Sequence, residues 1–162
     1  MPTPGGFQQS VYVLAAEPAG WPTAITAAEV NAGIQIEMDL PAPVNFSGTT
    51  NTMDTSVLQR QDTSEPGTLS LDSLVIEAFR RRTSAPVAIP ALDDDTPYWL
   101  VKFEGGNIAA GDHGTPAAAD VCDAAAVTVG TKSDVDTPRG EARRMSIPME
   151  ITEAVVRDLA LT

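Results

Sequence analysis

The sequence predicts a mainly β fold, an antiparallel sandwich or barrel-like domain with one short α-helix at about residues 26–33. Two observations carry that expectation. Short runs of strand-forming residues recur along the chain, separated by stretches rich in Pro, Gly, Asn, Ser and Thr. These runs do not alternate with long helical patterns, which argues against a parallel α/β sheet. There is also no repeat at a period of roughly 20–50 residues, so solenoids and propellers are not indicated.

Residues 1–9 are rich in Pro and Gly and read as a flexible N-terminal arm, leaving 10–162 as a single β domain. Ser10 to Ala15 reads as the first strand. Thr26-Ala27-Ala28-Glu29 is a capping box, in which the Thr hydroxyl and the Glu carboxylate each satisfy a free amide of the first helical turn. Gly33 is placed to end that helix in the left-handed conformation. Ile34 to Leu40 then alternates apolar and polar residues, with Ile34, Ile36, Met38 and Leu40 on one face and Gln35, Glu37 and Asp39 on the other.

A polar stretch follows at about 41–67. A structureless segment of that length is uncommon inside a domain, so it reads as a functional loop or as one holding a short strand such as Thr49 to Thr55. Thr68 to Arg82 alternates in two opposite phases, which a β-bulge near Asp72-Ser73 would reconcile; a helix over Ser73–Arg81 is the rival reading. Further strands are expected at Tyr98–Glu104, ended by Gly105-Gly106, at Val121–Thr131 and at Gly140–Ile151, with 107–119 as a loop. Glu153 to Leu161 reads as a last strand or a short terminal helix.

Composition narrows the function classes. A chain of 162 residues with 43% hydrophobic residues is long enough to bury a core without disulfides or metals. Aromatics are only 5%, so that core is expected to be built from Val, Ile, Leu and Ala. The formal net charge is −12, and Arg60 is the first basic residue. Such a surface repels phosphate backbones and anionic lipid headgroups, because tight nucleic-acid binding needs Lys and Arg to displace counterions. The N-terminus lacks the pattern of a signal peptide, and no apolar run approaches the ~20 residues of a membrane span.

Catalytic chemistry finds no constellation. His113 is the single histidine, in the loop Ala110–Gly114, and reads as a solvated loop residue. Cys122, the single cysteine, sits among Val121 and Ala124 to Ala126 and reads as a small buried hydrophobe. Asp93-Asp94-Asp95 lacks the spacing of a calcium loop and reads as a hydrated turn. No phosphate loop, dinucleotide fingerprint or nucleophile elbow is present, so no catalytic, cofactor or metal residue is expected. Arg80-Arg81-Arg82 is a basic cluster that either ends a strand in solvent or pairs with acids on a neighbouring copy.

Four segments in order resemble the tail tube (major tail) proteins of long-tailed, siphovirus-type bacteriophages, particularly those infecting actinobacteria. They are Trp21-Pro22-Thr23 leading into Ile25 to Ile36, the run Phe46 to Ser56, Leu92 to Glu104 with Gly105-Gly106, and Arg144 to Ile151. The segment Gln59 to Pro66 departs from the family by carrying little net charge. The resemblance implies hexameric rings built from β-sheets, stacked into a hollow virion tube, with the long loop and terminal arm reaching neighbouring copies. It implies tail-tip, tape-measure and tail-terminator proteins as partners, DNA passing through the lumen without specific binding, synthesis in the host cytoplasm and no catalytic residues.

A carboxylate-lined lumen would repel phosphate and let DNA slide. Gln35, Glu37 and Asp39 are candidates for that wall, with Glu150 and Glu153, and Arg80, Arg81 and Arg82 are candidates for contacts between subunits. Another ring-forming virion protein, a tail terminator or head-completion protein, is a related alternative. From a different class, a β-sandwich carbohydrate-binding module would need an aromatic platform, for which Trp21, Tyr98 and Trp99 are the candidates.

Overall fold

The computed structural model describes residues 9–46, 48–54, 64–71, 73–80, 88–104, 115–153 and 155–162, the backbone alone over 48–54 and 64–71. The expected N-terminal arm up to residue 8, Arg81, Arg82, Gly105, Gly106 and His113 lie outside the described residues.

Ten strands are described: β1 (Gln9–Leu14), β2 (Ile34–Gln35), β3 (Gly48–Asp54), β4 (Ser64–Leu71), β5 (Leu74–Phe79), β6 (Pro97–Glu104), β7 (Val121–Val129), β8 (Ser133–Val135), β9 (Arg144–Ile151) and β10 (Val156–Ala160). Two short helices, α1 (Ala27–Ala32) and α2 (Ala88–Ala91), and a 3-10 turn at Glu37–Asp39 complete the elements. Eight strands form one antiparallel sheet along the path β2-β1-β6-β7-β9-β5. β8 and β10 extend it: β8 continues the line of β7 along one edge of β9, and β10 continues the line of β9 along one edge of β7. β3 and β4 pair with each other in a separate two-stranded sheet.

Alternation along the strands builds two cores, one on each face of the sheet. Val11 and Val13 of β1, Tyr98 and Leu100 of β6, Val127 and Val129 of β7, Ile147 and Met149 of β9, and Ile76 and Ala78 of β5 feed the first. Strands from both ends of the path meet there, so the sheet rolls around this core in a barrel-like way. Tyr12, Leu14, Val101, Phe103, Cys122 and Ala124 face the second core, which Ile25 and Val30 of the α1 region and Leu161 cover. Burial pushes the Cys122 thiol up to about 12, reinforced by the Asp123 carboxylate, so it stays a neutral hydrophobe.

Helix α1 forms where the capping box places it. The Glu29 amide donates to the Thr26 hydroxyl at 3.2 Å, and the Thr26 amide donates to the Glu29 carboxylate at 2.8 Å. Gly33, however, is extended (φ −73°, ψ 171°), not left-handed. Its role is close approach: a Cβ there would lie 2.9 Å from the Val13 carbonyl oxygen and 3.0 Å from that of Val30.

Two other expectations change, and the alternatives left open elsewhere resolve towards strand. Ile34–Leu40 is not one strand: it pairs with β1 for two residues, then turns where the Asp39 amide donates to the Ile36 carbonyl and the Leu40 amide to that of Glu37. Ile34 and Met38 are consequently exposed, while Ile36 and Asp39 are buried. On either side of the phase change, β4 ends at Leu71 and β5 begins at Leu74 in a different sheet, so the two phases are two strands and not one bulged strand. Residues 74–79 are strand, not helix, and 156–160 likewise. Of the two readings of 41–67, the one with a short strand near Thr49–Thr55 holds: β3 covers Gly48–Asp54 and the start of β4 follows, while Val44 and Phe46 before them belong to the first core.

Candidate assembly surface

The five acid or amide candidates for a channel wall do not share a face. Gln35 is exposed at the edge of the sheet and donates to the Glu37 side chain. Glu37 is half-buried and accepts the Val11 amide at 3.3 Å. Asp39 is only 1% exposed and accepts the Ala88 amide at 2.9 Å. That withdraws Asp39 as a wall residue, because its carboxylate is committed to holding α2. Glu153 is exposed and accepts the Trp21 indole N–H, which ties the 18–24 turn to the end of β9. Glu150 is exposed on β9, opposite Thr128 of β7.

Among the described residues, the part of the sheet that holds Glu150 is covered on one side alone. Over β1, β6 and the start of β7 both faces are packed. Over β5 and β9 the face away from the first core presents Val75, Glu77, Ser146, Pro148 and Glu150, with Val75 58% exposed. Glu77 on that face pairs with Arg144 at 3.2 Å.

Arg80 stands at the end of β5, its guanidinium 3.2 Å from Asp134. The strand register adds what the linear sequence conceals. Arg144 lies opposite both Phe79 and Val135, and the Arg80 amide donates to the Arg143 carbonyl at 2.8 Å. Arg80, Arg143 and Arg144 thus converge with Asp134, Asp136 and Thr137 around a cavity of about 340 Å³. More than sixty residues of sequence separate Arg80 from Arg143 and Arg144, and the signal that joins them is the antiparallel pairing of β5 with β9.

A second charged cluster closes one end of the rolled sheet. Lys102 is buried, with Glu104 at 2.7 Å, Asp123 at 3.7 Å and the Phe46 ring at 5.4 Å. Arg157 reaches Asp123 at 3.6 Å and donates to the Phe46 carbonyl at 2.7 Å. Gln9 bonds the Val44 amide and carbonyl as well as Glu104. These bonds fix the points where β1 begins and where the chain leaves for β3.

The aromatic residues do not build a sugar platform. Tyr98 is buried in the first core, with its hydroxyl accepting the Asp93 amide, whereas Trp21 and Trp99 pack against the second. Asp93-Asp94-Asp95 is an exposed turn in which Asp94 lies 3.5 Å from Lys132. Among the described residues no group of His, Cys, Asp and Glu is arranged to hold a metal ion, and no helix is long and apolar enough to cross a membrane.

Comparison with known proteins adds the remaining facts. Residues 8–162 match a family model described as phage tail tube protein. A chain in the cryo-EM structure of the anti-feeding prophage (AFP) baseplate, 6-fold symmetrised, aligns at a TM-score of 0.58 and 10% identity, over 97% of this chain and 98% of that one. That likeness is one of fold. A crystal structure of Hcp protein aligns at a TM-score of 0.42 and 10% identity, over 89% of this chain and 88% of that one. No curated protein matches the sequence.

Proposed function

The chain belongs to the phage tail tube protein family, and we propose that its copies close into six-membered rings that stack into a hollow tube conducting DNA into the host. It is a structural component of the virion and not an enzyme. The match over residues 8–162, nearly the whole chain, is the observation that carries the reading. Six is the symmetry of the AFP baseplate structure, which holds a chain of this fold.

The architecture supports ring closure physically. Among the described residues, the outer edge of β5 carries no further strand, and β1 is edged by two residues of β2. Unpaired strand edges are a liability that a closed ring removes, since each edge is covered by the next copy. β3 and β4, paired apart from the rolled sheet, are the natural reach towards neighbouring rings, a role the N-terminal arm would share. Tail-tip, tape-measure and tail-terminator proteins are the partners this role requires. The resemblance of the sequence to siphovirus-type actinobacterial phage proteins suggests the setting, with synthesis in the host cytoplasm.

For the lumen we assign the open face of β5 and β9, with Glu150 as its leading acid. A carboxylate there repels the phosphate backbone and keeps DNA mobile. A phage carrying Glu150→Lys tests this, because the side chain is exposed and its replacement spares the core. Tails of normal length with slowed DNA ejection are expected. Unchanged ejection would remove Glu150 from the lumen.

A further inference from the structure

Arg80, Arg81, Arg82, Arg139, Arg143 and Arg144 are six of the chain's ten basic residues, in a molecule of net charge −12. Arg80 meets Arg143 and Arg144 because Phe79 pairs with Arg144 and the Arg80 amide bonds to Arg143. The cavity at this corner, about 340 Å³, is lined by Arg80, Arg143 and Arg144 against Asp134 and Asp136. Arg80 is engaged by Asp134, and Arg144 by Glu77 and Glu141. Arg143 is exposed and, among the described residues, makes no ion pair. The Arg144 Nε is buried with no hydrogen-bond partner there. The corner lies at the end of β5, whose outer edge carries no strand among the described residues.

From this juxtaposition we propose that the arginine cavity at the end of β5 is a docking site for carboxylate side chains of a second copy of this chain. The proposal rests on the reading that the chain self-assembles, and it names the contact. Charge complementarity selects the occupant. The chain carries 22 acidic residues, so any neighbour brings carboxylates, and a surface repulsive almost everywhere else has its complement at this corner. Guanidinium groups bind carboxylates through two parallel N–H···O bonds, which fixes orientation as well as partner. A nucleic-acid strand is the poorer fit. Asp134 and Asp136 stand in the cavity, with Glu77 and Glu141 beside it, and a continuous phosphate chain would meet them, whereas one carboxylate reaching Arg143 need not.

Sedimentation of the full-length protein over a range of concentrations, at fixed physiological ionic strength, tests the proposal with two variants. Arg143→Glu reverses a charge inside the cavity. Arg139→Glu makes the same change of net charge at an exposed arginine that does not line it. Circular dichroism melts establish that both remain folded. The expected result is self-association weakened at least about tenfold by Arg143→Glu and changed little by Arg139→Glu. Equal effects, or none, would overturn the proposal even if the wild type forms tubes. Wild-type protein that stays monomeric throughout, isolated tail tips added as seeds included, would overturn it together with the reading beneath it. Non-tubular oligomers lost in Arg143→Glu would keep the docking site and contradict the tube. A short DNA duplex that binds the wild type and not Arg143→Glu, with self-association unaltered, would reassign the cavity to phosphate.

Discussion

Lys102 projects into the first core with a side chain 6% exposed, held between Glu104, Asp123 and the Phe46 ring. A buried cation of this kind is tolerable through its partners, and removing one member strands the others. Lys102→Met should therefore cost about 3–5 kcal/mol in urea unfolding, despite the added hydrophobicity. Gly33 illustrates a different constraint, since a Cβ would press on the carbonyls of Val13 and Val30. Gly33→Ala should destabilise by about 1–3 kcal/mol, read from the same unfolding curves, because α1 must shift off β1. At the helix start, the Ala19 and Thr26 amides hold the Glu29 carboxyl below its ordinary range. A depressed carboxylate contributes stability that is fully present above the unfolded-state value of about 4.3 and is lost as pH falls through the folded value. Acid titration of stability should thus be shallower in Glu29→Gln than in the wild type; equal slopes would contradict the capping account.

Between secondary-structure elements, the pattern of the sequence succeeded where burial is symmetric about a strand and failed where the chain leaves the sheet. β1, β6, β7 and β9 were legible because their side chains alternate between environments that the sheet actually provides. Ile34–Leu40 has the same alternation, yet its partner strand offers two residues of pairing, and the bond from Ala88 to Asp39 draws an acid inward. That competing bond is long-range, so no local pattern announces it. The candidate site followed the same logic. Arg80 was visible as part of a run, while Arg143 and Arg144 joined it through a strand register that periodicity does not specify. The stretch 41–67 begins with a segment anchored by buried Val44 and Phe46, the latter only 5% exposed, and the β3–β4 pair follows. Phe46→Ala should cost about 3–5 kcal/mol. Replacing 48–71 by a short Gly-Ser linker should leave a cooperative thermal transition near that of the wild type and abolish tube formation. Loss of the transition would place β3 and β4 in the folding unit instead.

At the scale of the whole molecule, a rolled sheet with strand edges unpaired among the described residues and one arginine-rich corner is better suited to a closed assembly than to an isolated life. Net charge of −12 keeps free copies apart in solution, and association requires that edge pairing and the arginine contact outweigh that repulsion. In the proposed assembly the balance shifts with concentration, since each ring would gather several copies and each stacking step several rings. Electron microscopy of the purified full-length protein, dilute and then concentrated, with isolated tail tips added as seeds, tests this most directly. Hollow tubes of stacked six-membered rings are the predicted result. Particles that remain single copies at every concentration, seeds included, would contradict the assignment of this chain to a self-assembling tube.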